Sequence, residues 1–117
     1  MNCTVSDFAT FMAAAVAGPK REPPGRGVLK PESIAQMIKD QPNAVGSGLG
    51  YGVGGFKGER FLTHAGANKG WTAYFIMAVH RREGFVIANN SSGGSSLNEE
   101  VRKLWAEAFL SRDRQRH

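Results

Sequence analysis

Apolar residues recur with two different periods along this 117-residue chain, and the change of period divides it. Near the start, Phe8, Phe11, Met12, Ala15 and Val16 fall at i, i+3, i+4, i+7 and i+8, one face of an α-helix. Thr4-x-x-Asp7 opens that stretch as a capping-box-like pair, with Asp in place of the usual Glu or Gln. Gly18-Pro19 closes it, so the spacing predicts a helix over 4–17. A Pro/Gly/Arg loop follows to Gly27. Pro31 then stands at a first helical position and Pro42 bounds the far end. A second helix is expected over 31–40, with Ile34, Met37 and Ile38 as its buried edge.

The period then shortens. In "GSGLGYGVGGF", residues 46–56, Leu49, Tyr51 and Val53 alternate with glycine, which reads as a strand whose other face carries no side chains. A phosphate-binding glycine loop needs a strand before it and a helix after it. Here a helix precedes and the hairpin-like "GFKGERF" follows, so no nucleotide site is expected. Residues 71–79 and 85–88 are continuous apolar runs joined by "HRREG", a turn containing Gly84, and predict an antiparallel hairpin. A strand apolar on both faces must be covered on both. Just ahead of it, His64-Ala65-Gly66 reads as a small polar turn.

"NNSSGG" makes a further turn, and Ser96-x-x-Glu99 predicts the cap of a last helix over 96–110. Its stripe is Leu97, Val101, Leu104, Trp105, Ala108 and either Phe109 or Leu110. A basic tail occupies 111–117. The order is helix, helix, three antiparallel strands over 48–90, helix. The expected class is α/β in the α+β sense: an antiparallel sheet of at least three strands flanked by helices, forming a single partial domain over 1–117. The last strand has no visible neighbour on one edge, so the chain looks like part of a larger sheet. An uncovered edge and face predict self-association.

Composition narrows the function classes. Apolar content of 41% supports a core. Fifteen Lys+Arg against ten Asp+Glu give +5, and the pI is near 9.8. That balance permits nucleic-acid binding only if the charges cluster. They gather in "PKREPPGRG" and "RDRQRH", a linker and a terminus, so nucleic acid is not an expected partner. Cys3 is the single cysteine, which excludes an internal disulfide. No stretch reaches the ~18 apolar residues of a membrane span. "MNCTVSDF" shows no signal-peptide pattern. His64, His80 and His117 share no metal-ligand spacing, and neither HExxH nor CxxC occurs, so neither metal nor cofactor is expected. Trp71 and Trp105 are expected in the core and His80 in a solvated turn.

Five segments, "TVSDFATFMAAAVAG", "VLKPESIAQM", "GLGYGVGG", "THAGANKGWTAYFIMAVHRREGFVIANNSSGG" and the closing helix, follow one another in an order that resembles a known family. It is the C-terminal portion of the serine β-lactamase and penicillin-binding-protein superfamily, nearest the class C β-lactamase-like group with its esterases and D-aminopeptidases. The resemblance runs from about residue 4 to about residue 110 and implies a partial β-lactamase/transpeptidase-like fold. Members of that family carry Lys-Thr-Gly, or in many esterase-like members His-x-Gly, on the sheet strand beside the active-site cleft. His64-Ala65-Gly66 matches the second form.

The resemblance implies roles for these residues. The strand edge would supply half of an oxyanion hole, with the N–H donor at Asn68. Gly66 would let substrate approach the backbone. His64 would polarise the site or orient a substrate carboxylate. Read from the residues alone, His64 is a surface or strand-end histidine without a role; the resemblance places it in a cleft. The His-Ala-Gly form tilts the parent activity toward esterase or peptidase rather than β-lactamase.

The family's nucleophile is a serine in Ser-x-x-Lys. Ser6, Ser33, Ser47, Ser91, Ser92, Ser95, Ser96 and Ser111 all lack lysine three residues later. Tyr-x-Asn or Tyr-x-Ser is absent too, since Tyr51 begins "YGV" and Tyr74 begins "YFI". Neither is there a Gly-x-Ser-x-Gly elbow. The expectation is one wall of an acyl-transfer site, inactive alone, taking an acyl or amide small molecule only when complemented. Its open sheet edge would pair with another copy or with an N-terminal partner chain. The family is often periplasmic or secreted and also cytoplasmic, so no localisation follows.

Overall fold

A computed structural model describes residues 3–115. The elements run α1 (Val5–Ala13), α2 (Pro31–Met37), β1 (Gly52–Phe56), β2 (Glu59–Asn68), β3 (Trp71–Ala78), β4 (Glu83–Asn89) and α3 (Gly94–Gln115). The strands make one antiparallel sheet in the order β1-β2-β3-β4. This is an α+β arrangement with one strand more than the three expected over 48–90. The additional strand is β2, and His64-Ala65-Gly66 lies inside it rather than in a turn. Small and polar residues give that segment no apolar run of its own; pairing with β3, with His64 opposite Phe75, makes it a strand.

Two tight turns set the register. Lys57-Gly58 joins β1 to β2 with both φ values positive, 50° and 80°, the mark of a type I′ hairpin. Lys69-Gly70 joins β2 to β3 in the same two-residue way. Between β3 and β4 the positive φ falls on Arg82, not on Gly84. Gly84 lies within β4 opposite Met77, where a Cβ would stand 2.1 Å from the Ile76 carbonyl oxygen.

The helices close on both faces of the sheet. The Thr4 hydroxyl accepts the Asp7 N–H at 3.0 Å and starts α1, as its sequence predicts. The helix ends at Ala13, four residues before its expected limit. There the Arg26 guanidinium donates to the carbonyls of Ala13, Val16 and Pro23 and satisfies the exposed helix end. Ala15 and Val16 stay buried nonetheless, in a core with Met12, Leu62, Phe75 and Met77. Phe11 leaves the expected stripe and is exposed. Helix α2 stops at Met37, short of residue 40, where the Met37 carbonyl accepts the Leu49 N–H at 2.8 Å.

Helix α3 covers the opposite face. Trp105 packs on Phe61, Phe85 and Phe109 with ring centroids 5.1–6.2 Å apart. The helix starts at Gly94, so Ser96 lies within it and does not cap it; Glu99 bonds Arg102 instead. The line facing the sheet is Asn98, Trp105 and Phe109, while Leu97 and Leu104 of the expected stripe are exposed. Asn98 is buried because Asn89 of β4 donates to its side-chain oxygen. The helix continues past 110 to Gln115; residues 116 and 117 of the expected tail, His117 included, lie outside the described residues. Strand β3 is buried on both faces only from Phe75 to Ala78, and Trp71, expected in the core, is exposed.

Candidate functional site

Strand β2 is ten residues long, but β1 covers only half of it. Gly52–Phe56 pair with Glu59–Thr63, and beyond Thr63 the outer edge has no strand among the described residues. Gly50, at φ +84°, turns the chain away there, and Gly48 and Tyr51 close a local hydrogen bond of 2.8 Å. The half left open is His64–Asn68, and all five residues are exposed. On its other side it pairs fully with β3, down to Asn68 opposite Trp71. The result is an unpaired backbone edge held on its other side by β3, with main-chain groups able to hydrogen-bond an extended acyl or peptide group.

Strand alternation divides the side chains. His64, Gly66 and Asn68 share the α1 face with Leu62, whereas Ala65 and Ala67 share the α3 face with Phe61. On the α1 face a groove of about 540 Å³ is lined by Val5, Phe8, His64, Gly66, Trp71 and Phe75, among others. The His64 ring lies parallel to Phe75, which also lines the groove. On the reverse a hollow of about 320 Å³ is lined by Ala65, Gly66, Ala67, Tyr74, Ser95 and Asn98. A Cβ on Gly66 would meet nothing within 4 Å, so packing within the chain does not call for glycine there. A small residue at an open edge leaves room for something from outside.

The four residues singled out from the sequence, His64, Ala65, Gly66 and Asn68, therefore lie together along the unpaired half of β2, on alternating faces. Trp71 and Tyr74 join them, and neither was singled out for the site. Their signal was their place opposite Asn68 and Ala65 on the next strand, which requires β2 to be recognised as a strand. Burial raises the Tyr74 phenol above its ordinary pKa, with Arg102 pulling it down and Glu99 pushing it up. The Arg102 guanidinium in turn holds Glu99 below the usual carboxylate range, chiefly through the hydrogen bonds between them.

The groove beside His64 holds the thiol of Cys3 and the hydroxyl of Thr4, but the Thr4 oxygen is already accepting from the helix start. No serine lines it among the described residues. His80 does not join His64: it sits at the opposite end of the β3 strand, its Nδ1 3.2 Å from the Glu59 carboxylate. Among the described residues no three His, Cys, Asp or Glu side chains are grouped to hold a metal ion. No described helix is long and apolar enough to cross a membrane. No family model, curated protein or solved structure matches the chain.

Proposed function

We propose that this chain is the C-terminal portion of a β-lactamase-like serine hydrolase, supplying the His-Ala-Gly strand of an acyl-transfer site and inactive alone. One observation carries the reading: the His64–Asn68 half of β2 is an open strand edge beside a groove, with an unobstructed glycine at its centre. Substrate carbonyl and amide groups would bond that edge, His64 would orient an anionic or acyl end, and the N–H near Asn68 would face the developing oxyanion. The serine that attacks and the base that activates it are absent from the sequence. Backbone donors without a nucleophile give residual rate enhancement at most.

A titration with N-acetyl-D-Ala-D-Ala, followed by backbone amide shifts, tests the wall. Shifts centred on residues 64–68 and Trp71 are expected. Shifts elsewhere, or none at saturating peptide, would remove the assignment. The second reading is a non-catalytic binding module of the same origin. It is favoured by the outer edge of β4, which pairs with β3 alone and is open on its other side among the described residues. Such a module would take a second copy or an N-terminal partner chain at that edge.

A further inference from the structure

Helix α3 lies over β3 and β4, and its flank toward β1 borders a slot of about 450 Å³. Arg102, Ala106 and Leu110 line the helix side at i, i+4 and i+8. Eight rises of about 1.5 Å make that wall about 12 Å long. Phe61 and Ile76 form the floor, and Phe56, 52% exposed, stands across from the helix. The slot is open because β1 carries glycine where a strand would carry a side chain. Gly54 is paired with Phe61 and so shares its face. A Cβ on Gly54 would meet nothing within 4 Å, so packing within the chain does not call for glycine there.

The two ends of the slot differ in charge. At one end the Arg102 guanidinium is bonded twice to the Glu99 carboxylate, at 2.6 and 2.9 Å, and is neutralised by it. At the other the slot runs past Phe56, Phe109 and Leu110 into a hollow of about 170 Å³ that Lys57, Glu59 and His80 also line. Glu59 is occupied there, accepting the backbone N–H groups of Arg60, His80 and Arg81. The Arg81 side chain is held by Glu83 at 3.4 Å and by the Phe109 ring. The Lys57 ammonium lies 5.6 Å from the Phe56 ring centroid and forms no ion pair with a described carboxylate. An apolar trough thus ends at one available cation.

We propose that this slot binds a medium-chain fatty carboxylate, its chain lying between Gly54 and Trp105 and its head at Lys57. An extended chain of roughly ten carbons, joined by bonds of about 1.5 Å, spans the helix wall. Charge complementarity places the head at Lys57 and not at the Arg102–Glu99 pair. A single negative charge suits the hollow better than two, because the Glu59 carboxylate shares it. The slot is separate from the acyl-transfer reading, whose groove lies on the α1 face of the sheet.

The test titrates the full chain with decanoate below its micelle concentration and follows the two indole N–H cross-peaks. Trp105 lines the slot, while Trp71 lines the His64 groove and serves as the control. A saturable shift of Trp105 with Trp71 unmoved is expected. Gly54→Val places a side chain in the slot and should weaken binding at least about tenfold. Lys57→Glu should weaken decanoate about fivefold and give decylamine the advantage. Circular dichroism verifies that both variants fold. Decanol should bind the unaltered chain about fivefold more weakly than decanoate. Absence of saturation, a shift confined to Trp71, or undiminished binding by Gly54→Val would overturn the slot. Equal binding of decanol, or tighter binding of decyl phosphate, would overturn the head group. A dimer in sedimentation that Gly54→Val disperses would overturn the choice of occupant in favour of a second copy. Because each indole reports one site, the hydrolase reading can fail while this one stands.

Discussion

The His64 imidazole lies nearly parallel to the Phe75 ring, 17° between planes and 6.3 Å between centroids. Strand alternation puts the histidine on the groove face, directly across from Phe75. Phe75 is 6% exposed and also supports Phe8 and Tyr51, whereas His64 is exposed. Urea denaturation should therefore show Phe75→Ala costing about 3–5 kcal/mol. His64→Ala should change stability by less than about 1 kcal/mol. A large loss at His64 would make it a core residue and remove it from the site.

Two glycines in neighbouring strands should respond in opposite ways. Gly66→Ala adds a methyl into open space, while the same change at Gly84 drives a Cβ against the Ile76 carbonyl, 2.1 Å away. Gly84→Ala should destabilise by about 1–3 kcal/mol. Gly66→Ala should leave stability unchanged within about 0.5 kcal/mol but weaken the amide shifts caused by the acyl dipeptide. Unchanged peptide binding in Gly66→Ala would show that the strand edge is not used.

Glu59 is the buried carboxylate of the sheet's closed end. Its side chain is 8% exposed and accepts the backbone N–H groups of Arg60, His80 and Arg81 at 2.9–3.1 Å. Removing it strands those donors beside the β3–β4 turn. Glu59→Ala should cost about 2–4 kcal/mol, and Glu59→Gln, which keeps one acceptor oxygen, distinctly less. Equal effects would mean that charge rather than hydrogen bonding holds the turn.

Why the sequence revealed some of these features and hid others follows from how each residue is held. The start of α1 was legible because Thr4 bonds its own Asp7. The Lys57-Gly58 hairpin was legible because a type I′ turn has a local residue preference. Strand β2 was hidden because its distal half is buried by nothing, so no apolar alternation was required of it. The face of α3 was misread because its sheet-facing line includes Asn98, made acceptable by a hydrogen bond from Asn89 at the end of β4, while two leucines point outward. Arg26, which finishes α1, stood in what looked like a solvated basic loop; its thirteen-residue reach to Ala13 leaves no mark in spacing. His64, Ala65, Gly66 and Asn68 were found through a motif resemblance, but their arrangement along one open edge was visible only once β1 was seen to start at Gly52, opposite Thr63, and to leave the rest of β2 unpaired.

The two tyrosines set an alkaline limit. Burial raises the phenol pKa of both Tyr51 and Tyr74 above 10.0. A group whose folded pKa is raised contributes stability that is intact below its unfolded pKa and is lost as pH rises toward the folded value. Thermal stability should be insensitive to these groups up to pH 10 and fall beyond it. Tyr51→Phe and Tyr74→Phe should each flatten that fall, with tyrosinate absorbance tracking the loss. An unchanged slope in both variants would assign alkaline unfolding to other groups.

The central claim is that this chain holds a wall of an acyl-transfer site without its nucleophile. Intact mass after incubation of the folded chain with a fluorophosphonate and, separately, with a penicillin tests it most directly. The account predicts no adduct with either reagent. A single stoichiometric adduct on one serine would contradict it and make the chain a hydrolase in its own right.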